Sequence, residues 1–324
     1  MKCSGAADAV PAGSSGRILL LAGPTAVGKS EIALLLAEKL GGEIVSVDSM
    51  QVYRGLDIGT GKPSPEERAR VPHHLIDVAG VAEPFDAAQF VRLASQAVAQ
   101  IGARGRVAIL CGGTGLYFKA FLRGLGDAPP PNPVLRAELE AVPLPELWRE
   151  LAERDPATYE RIDRQNRRRV IRAIEVIRLT GKLFSQQRAD WTHAPTTARW
   201  TLSAFGLTRS PADLRQRIGA RVDEMFRRGL VAETGQLLER GLGANPSASQ
   251  ALGYRQVAEH LRGVRSLPAT IELVKIRTRQ FAKRQMTLVR RQLALSWIPL
   301  SAGEPPATVV ERLAREWERV MTEA

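Results

Sequence analysis

Residues 23–30 read Gly23-Pro24-Thr25-Ala26-Val27-Gly28-Lys29-Ser30, which is the G-x-x-x-x-G-K-[ST] pattern of a phosphate-binding loop. An apolar run at 17–22 precedes these residues, and an amphipathic run at 31–40 follows them. This order of strand, glycine loop and helix is the context that the pattern requires. An ordinary turn before a helix is the alternative, but the complete pattern in this context favours a loop that binds phosphate.

The residue types in the loop suit a polyphosphate. Glycines allow several backbone N–H groups to converge on one anion, and the N-terminus of the following helix adds the positive end of its dipole. Lys29 supplies a full positive charge to a terminal phosphate, and the Ser30 hydroxyl can bind a magnesium ion. The pattern does not identify the molecule that carries the phosphate.

The chain as a whole is basic. Its 324 residues have a formal net charge of +12, which favours a polyanionic partner, nucleic acid before a membrane. The two cysteines and four histidines lack the spacing of a disulfide framework or a zinc site. Neither the apolar segment of a signal peptide nor a run of membrane-spanning length is visible. We expect a cytoplasmic monomer, with no membrane partner, whose residues 1–16 form a disordered tail.

Two further predicted strands end in polar residues. The β-branched run at 43–49 carries Asp48 and Ser49 at its carboxyl end, and a third apolar run leads into a second glycine-rich turn at 112–117. Because the carboxyl ends of parallel strands share one edge of a sheet, both turns and the phosphate loop should face one crevice. Thr114 in the second turn is a candidate for a hydroxyl contact with the ligand, or else for the N-cap of the next helix.

The domain organisation follows from a change in composition. A proline-rich linker at 127–133 introduces a charged, helical block, and a strand pattern returns at 199–207. We therefore interpret 124–197 as an insertion into a core formed by 17–123 and 198–324. The predicted fold class is α/β, with a P-loop NTPase-like parallel sheet flanked by helices and an inserted all-helical domain.

The insertion contains an arginine-rich helical segment. Val170 and further apolar residues at helical spacing give it one buried face. Arg172 is four residues from Arg168 and three from Arg169, so these guanidinium groups should gather on the exposed side. A solvated surface helix is the alternative, although the excess of arginine over lysine favours bidentate contacts with phosphate. A second basic helix is predicted at 271–291.

Eight motifs, in one order along the chain, resemble those of the tRNA dimethylallyltransferases, also called tRNA isopentenyltransferases. They lie at 23–30, 47–53, 57–63, 73–77, 112–117, 169–176, 253–256 and 283–287. The resemblance covers most of the chain, and its motifs are specific.

The resemblance implies a reaction. A dimethylallyl group would pass from dimethylallyl diphosphate to N6 of adenosine 37 in a tRNA anticodon loop, with release of diphosphate. The phosphate loop, Gly23 to Ser30, would hold the diphosphate with Mg²⁺ on Ser30, rather than a nucleoside triphosphate. Asp48 resembles the general base of the family, and Thr114 and Arg217 would complete the catalytic set. Arg217 would contact the diphosphate, and a salt bridge on the helix surface is its alternative role.

The resemblance also implies which residues contact tRNA. They are Asp48, Ser49, Met50, Gln51, Thr114, Arg136, Arg168, Arg169, Arg172, Gln250, Gly253, Tyr254 and Arg255. The insertion would bind the anticodon stem-loop. Two departures from the family pattern, Gln165-Asn166 for Asn-Asp and Leu288 for tryptophan, put only local anticodon-loop contacts in doubt.

Three other functions compete with this interpretation. An adenylate isopentenyltransferase prenylates free AMP, ADP or ATP, and would need neither the insertion nor the basic helices. A phosphate-loop nucleotide kinase would turn over ATP. A non-enzymatic RNA-binding protein would not require Lys29, Ser30 and Asp48 to be intact.

Overall fold

The computed structural model describes residues 16–187 and 200–323, which form two compact units. The second unit begins at Arg123 and extends to the end of the first described range, and all other described residues belong to the first unit. The predicted tail at 1–16 lies outside the described residues, apart from Gly16, which begins the first strand.

A parallel sheet forms the centre of the first unit. Within the described ranges its strands are β1 Gly16–Ala22, β2 Glu43–Val47, β3 His73–His74, β4 Ala108–Gly112, β5 Trp200–Thr208 and β6 Ser296–Pro299. Their order across the sheet is β3-β2-β4-β1-β5-β6, and every pair is parallel. The predicted α/β fold is confirmed. The short β3 was not predicted, and β2 ends two residues earlier than expected.

Helices flank the sheet and build the second unit. In chain order they are α1 Lys29–Leu40, α2 Pro65–Arg70, α3 Ala87–Ala103, α4 Gly115–Arg123, α5 Pro133–Ala141, α6 Leu144–Arg154, α7 Pro156–Arg161, α8 Arg167–Thr180, α9 Phe184–Gln187, α10 Pro211–Arg227, α11 Leu230–Glu239, α12 Tyr254–Leu261, α13 Leu267–Gln292 and α14 Pro306–Glu323. Among the helices described, none has the length and apolar character needed to cross a membrane.

The sheet has an apolar core on each face. Ile18 and Leu20 of β1 belong to the core that includes apolar residues of α3 and α4, whereas Leu19 and Leu21 belong to the core that includes α1 and α14. Successive side chains of a strand point to opposite faces, so a continuous apolar run fills both cores. This double burial explains why β1 has almost no polar residue.

The topology brings the predicted polar segments to one edge of the sheet. The central strands β2, β4 and β1 are adjacent and parallel, so their carboxyl ends lie side by side. The phosphate loop follows β1, Asp48 follows β2, and Thr114 follows β4. The prediction that these segments share one edge is confirmed.

The second unit is helical throughout its described part. Leu139, Leu151, Val170 and Ile174 are fully buried in a core of their own. Helix α8 begins only at Arg167, because Asn166 serves as its N-cap. The burial of Val170 and Ile174 confirms the predicted apolar face of this helix.

A buried carboxylate lies at the other end of β2. Glu43 is 2% exposed, and its two oxygens accept hydrogen bonds from Arg104, at 2.9 and 2.7 Å, and from Arg106, at 3.1 Å. His74 Nε2 is 2.7 Å from the same carboxylate. Burial by itself would raise the pKa of Glu43, but the hydrogen bonds from Arg104 and His74 outweigh it and hold the pKa below its ordinary value.

We expect Glu43→Gln to lower the free energy of unfolding by about 2 kcal/mol at neutral pH, since both arginines are half-exposed and partly screened. A depressed carboxyl pKa stabilises the fold above the ordinary value of 4.5 and loses that effect as the pH falls through the folded-state pKa. The difference between wild type and variant, measured by urea denaturation, should therefore shrink on acidification. Glu38→Gln, in an exposed pair with Arg70, is the matched control and should have little effect. A difference independent of pH would contradict this account.

Candidate active site

The phosphate loop is held by cations that bind its carbonyl groups. Lys29 Nζ lies 2.7 Å from the Pro24 oxygen, and Arg217 Nε lies 2.9 Å from the Ala26 oxygen. The Val27 amide donates to the same Pro24 oxygen at 3.4 Å, so this carbonyl is held both by the loop itself and by Lys29. Ala26 also has a positive φ of 63°, which curves the loop.

A third cation, Arg209, braces the loop from the end of β5. Its Nε donates to the Val27 oxygen at 2.8 Å, and its Nη1 binds Asp213 at 2.8 Å. The Arg209 side chain is only 6% exposed, so the Val27 carbonyl of the loop is bound by a member of a buried ion pair. The sequence analysis did not identify this residue, although an arginine two positions after the strand predicted at 199–207 was a usable signal.

Lys29 lies among charged and polarisable groups at the sheet edge. The pKa of its ammonium group is lowered to about 8, mainly by desolvation and also by nearby Arg221, while Cys111 and Asp48 act in the opposite direction. A cation that is short of water and of counter-charge favours the binding of an anion. Lys29 is thus suited to receive a phosphate group.

Asp48 is oriented by the backbone that follows it. Its Oδ1 accepts hydrogen bonds from the amides of Met50 at 2.8 Å and Gln51 at 3.3 Å. Two bonds to one oxygen fix the plane of the carboxylate. The predicted residues 48–51 therefore form one compact turn at the carboxyl end of β2.

Thr114 joins the ends of β2 and β4. Its hydroxyl accepts a hydrogen bond from the Ser49 amide at 3.2 Å, and its carbonyl accepts bonds from the amides of Tyr117 and Phe118 at the start of α4. The carbonyl thus begins the helix, while the hydroxyl binds the neighbouring turn. Thr114 is within the site, next to the turn that holds Asp48.

Gln285, on α13, links the phosphate loop to the second glycine turn. Its oxygen accepts from the Thr25 amide at 2.8 Å, and its nitrogen donates to the Gly113 oxygen at 3.2 Å. A side chain on Gly112 would meet the Val47 oxygen at 2.1 Å, so only glycine allows these strands to approach so closely. The resemblance drew attention to 283–287, but sequence reasoning did not give Gln285 this role.

The two arginines of α10 that face the site have different environments. Arg217 contacts the phosphate loop itself, and in the part of the chain that the structure describes it forms no ion pair on its helix. Arg221, one turn later, donates to the Thr60 oxygen at 3.2 Å. Desolvation lowers the pKa of Arg221, and Asp48 opposes that shift only in part. Arg221 was not among the predicted site residues, although its spacing of four from Arg217 indicated the same face.

A loop between β2 and β3, Asp57–Gly61, is fixed from two sides. Gln51 accepts from the Ser46 hydroxyl at 2.8 Å and donates to the Thr60 oxygen at 3.4 Å. Lys62, with a side chain only 2% exposed, binds Asp57 at 2.6 Å and Asp77 at 2.5 Å. We call Asp57–Gly61 the 57–61 loop.

The segment at 250–255, which was predicted to contact tRNA, contains both exposed and buried residues. Gln250 and Arg255 are exposed and bind each other at 2.9 Å. Gly253 is buried, and Tyr254 is completely buried, with its hydroxyl 2.5 Å from Glu233. The expectation that the Tyr254 side chain faces a partner is therefore corrected, because this side chain belongs to the interior.

The predicted arginines of the second unit also differ in their surroundings. Arg168 and Arg169 are exposed, as expected. Arg172 and Arg136 instead bind the fully buried carboxylate of Glu175, at 2.8 and 2.7 Å. The prediction that all three guanidinium groups of α8 gather on one exposed side is wrong for Arg172, because a buried acid needs its charge.

The oxygen donors near the loop fit magnesium better than a metal that requires an all-protein cage. Ser30 is exposed in the first turn of α1, and Asp48 lies across the sheet edge. No group of three His, Cys, Asp or Glu able to hold a metal occurs among the residues described. Mg²⁺ commonly combines few protein oxygens with substrate phosphate and water. A hydroxyl beside a phosphate loop matches that chemistry.

The model of the IPP transferase family matches residues 51–292, which is most of the chain. The chain belongs to the IPP transferase family. It is 46% identical to tRNA dimethylallyltransferase 1 of Trichlorobacter lovleyi over 87% of this chain and 93% of that protein. With the tRNA dimethylallyltransferase of Geobacter sulfurreducens the identity is 42%, over 90% and 94%. The expected membership of this enzyme family is confirmed.

Solved structures agree with the sequence comparison. The tRNA isopentenylpyrophosphate transferase of Bacillus halodurans has a TM-score of 0.69 and 36% identity, with 95% of this chain and 98% of that chain covered. A eukaryotic dimethylallyltransferase acting on tRNA has a TM-score of 0.78 and 27% identity, with 93% and 78% covered. The similarity therefore extends over both units of the chain.

The lowered pKa of Lys29 leads to a pH-dependent affinity. Below about pH 8 the ammonium is charged and should attract phosphate, whereas above that pH the unliganded protein loses this charge. We expect the affinity for inorganic pyrophosphate, measured by calorimetry, to fall more steeply with rising pH in the wild type than in Lys29→Met. The ligand's own protonation affects both proteins equally, so parallel curves would contradict the assignment.

Proposed function

We propose that this protein transfers a dimethylallyl group from dimethylallyl diphosphate to N6 of adenosine 37 in tRNA and releases diphosphate. The observation that carries the proposal is the meeting of the phosphate loop, with Lys29 and Ser30, and the oriented carboxylate of Asp48 at one sheet edge. Membership of the IPP transferase family and the names of its relatives support the same reaction.

The cations of the site stabilise the departing diphosphate. As the allylic C–O bond breaks, negative charge grows on the diphosphate oxygens. Lys29, Arg221 and Arg217 supply positive charge there, and the loop amides supply hydrogen bonds that require no reorganisation. Mg²⁺ held by Ser30 would neutralise part of the same charge.

Asp48 acts as the general base. The exocyclic amine of adenine is a weak nucleophile, so its attack on the allylic carbon benefits from a carboxylate that takes the proton as the C–N bond forms. The Thr114 hydroxyl, which is hydrogen-bonded to the Ser49 amide next to Asp48, completes the polar surface that receives the adenine. An adenine inside a stacked anticodon loop reaches such a site by flipping out of the stack.

Several exposed groups suit the polyanionic substrate. In the first unit they are Gln250, Arg255 and, on α13, Lys283, Arg284 and Arg291. In the second unit they are Arg168 and Arg169. Arginine and lysine side chains on exposed helices contact phosphate oxygens, which position a nucleic acid without reading its sequence. A free mononucleotide would use few of these groups, so they favour tRNA over AMP as the acceptor.

The decisive experiment follows radiolabel from dimethylallyl diphosphate into unmodified tRNA, with AMP and ATP as parallel acceptors. Label in tRNA alone, lost when adenosine 37 is replaced by guanosine, supports the proposal. Label in AMP or ATP identifies an adenylate isopentenyltransferase. Conversion of ATP to ADP, with the phosphate either transferred to an acceptor or released, and no transfer of label, identifies nucleoside triphosphate chemistry and rejects the proposal.

Asp48→Ala should lower kcat by about 10²- to 10⁴-fold, the range of a lost general base. Binding of tRNA, measured by filter retention, should stay within about twofold of wild type, because one carboxylate adds little to a polyanion's affinity. Asp86→Ala, at the N-cap of α3, is a control that removes an acid outside the site. An equal loss of turnover and tRNA affinity would reject Asp48 as the base.

Binding of tRNA should weaken steeply with salt, because each neutralised phosphate releases counterions. Arg169→Ala should reduce the slope of log K against log salt by about one, in line with one lost phosphate contact. Arg319→Ala removes an exposed charge paired with Glu316 on α14 and should leave the slope unchanged. A flat salt response of the wild type would count against the basic surfaces as the tRNA-binding region.

A further inference from the structure

A partly buried acid and a buried tyrosine together hold the backbone of the 57–61 loop. The Tyr254 hydroxyl donates to Glu233 Oε1 at 2.5 Å and accepts from the Gly59 amide at 3.0 Å. The two oxygens of Glu233 also lie 3.1 and 3.0 Å from the Ile58 amide. Two successive amides of the loop are therefore bound by one pair of side chains, which we call the Glu233–Tyr254 pair.

The fit between the pair and the loop is close. A Cβ added to Gly59 would lie 2.4 Å from the Tyr254 ring, so the loop backbone rests directly on the aromatic side chain. Tyr254 is completely buried and Glu233 is partly buried. Burial and the neighbouring Glu233 raise the pKa of Tyr254, so its hydroxyl remains a proton donor at all ordinary pH values.

The other side of the same loop holds Arg221. Thr60 accepts a hydrogen bond from Arg221 Nη2, and a Cβ on Gly61 would lie 2.3 Å from that nitrogen. Arg221 influences the titration of Lys29, and Asp48 influences that of Arg221, so the guanidinium lies near both site residues. Arg221 is held by the Thr60 carbonyl, which Gln51 also binds. Glu233 and Tyr254 hold the amides of the two residues directly before Thr60.

We propose that Glu233 is a positioning residue, which acts through the 57–61 loop to place the Arg221 guanidinium for the diphosphate. Glu233 binds the amide of Ile58, and Tyr254 binds that of Gly59, directly before Thr60, whose carbonyl holds Arg221. Without the carboxylate, the loop can shift and the guanidinium loses its fixed acceptor. This inference rests on the proposed function, because it requires the site to bind diphosphate.

Two variants remove the pair without emptying the core. Glu233→Gln keeps the size of the side chain but brings an NH₂ group against the Tyr254 hydroxyl or the Ile58 amide, and Tyr254→Phe keeps the buried ring. The probe is inorganic pyrophosphate with Mg²⁺, and its Kd is measured by calorimetry. We expect each variant to weaken binding by roughly three- to tenfold, the effect of one or two lost hydrogen bonds. Glu239→Gln, an exposed position on the same helix, is the control and should bind as the wild type does.

A double-mutant cycle separates positioning from general destabilisation. In an Arg221→Ala background, Glu233→Gln should change the Kd by less than about twofold, because the group that it positions is absent. An effect of Glu233→Gln that persists in that background, or no effect in the wild type, overturns the inference. Failure of the wild type to bind pyrophosphate overturns it as well.

The tRNA-labelling assay tests the proposed function separately. If pyrophosphate binds and the cycle behaves as expected but no label reaches tRNA, the positioning role of Glu233 stands and the proposed acceptor is wrong. If label reaches tRNA but the cycle is additive, the reaction stands and Glu233 has only a structural role.

Discussion

Desolvation of Lys29 and Arg221 at one edge of the sheet sets the chemistry of the site. Removal from water lowers the pKa of each side chain, and the positive charge of Arg221 contributes to the lowered pKa of Lys29. Asp48 offsets this only in part. Two desolvated cations that share one partly compensating acid form a site whose free energy falls when a multiply charged anion enters. A diphosphate is such an anion, and in the proposed reaction its departure as a leaving group would use the same charges.

The scaffold holds these cations in place with backbone carbonyl groups. Lys29, Arg217 and Arg209 each bind a different carbonyl of the phosphate loop, and Arg221 binds one of the 57–61 loop. Carbonyl acceptors satisfy N–H donors without cancelling their charge. Arg217 and Arg221 are therefore ordered and still available to an anion, whereas the charge of Arg209 is paired with Asp213.

Local patterns in the sequence were enough to predict the sheet and its polar edge. The phosphate loop, Asp48 and Thr114 each follow an apolar run that predicts a strand. The parallel topology then brings the carboxyl ends of these strands to one edge of the sheet. Contacts between distant segments had no such signal. Thr25 and Gln285 are 260 positions apart and meet through one hydrogen bond, and Ile58 and Glu233 are 175 apart. Spacing rules describe neighbours on one helix or strand, so they cannot pair residues across the fold.

Burial explains where individual residues departed from expectation. Tyr254 and Arg172 lie in motifs that predicted contact with a partner, yet one is in the interior and the other neutralises the buried Glu175. A motif identifies a residue as necessary without saying whether it acts by touching the substrate or by holding its neighbours. Glu233 is an acid outside the eight motifs, whereas its partner Tyr254 lies in one of them.

The pairing of β1 with β5 has a consequence for how the chain reaches its fold. Strand β1 is synthesised first, but one of its two neighbours is β5, which emerges only after the whole second unit. Until then, Leu19 and Leu21 belong to an edge strand with unpaired backbone groups, a state prone to wrong pairing. The second unit makes its own core from contacts close in sequence, which form quickly. During translation the inserted helices can thus fold before the sheet that they interrupt is complete, and residues 200–208 close the central strand last.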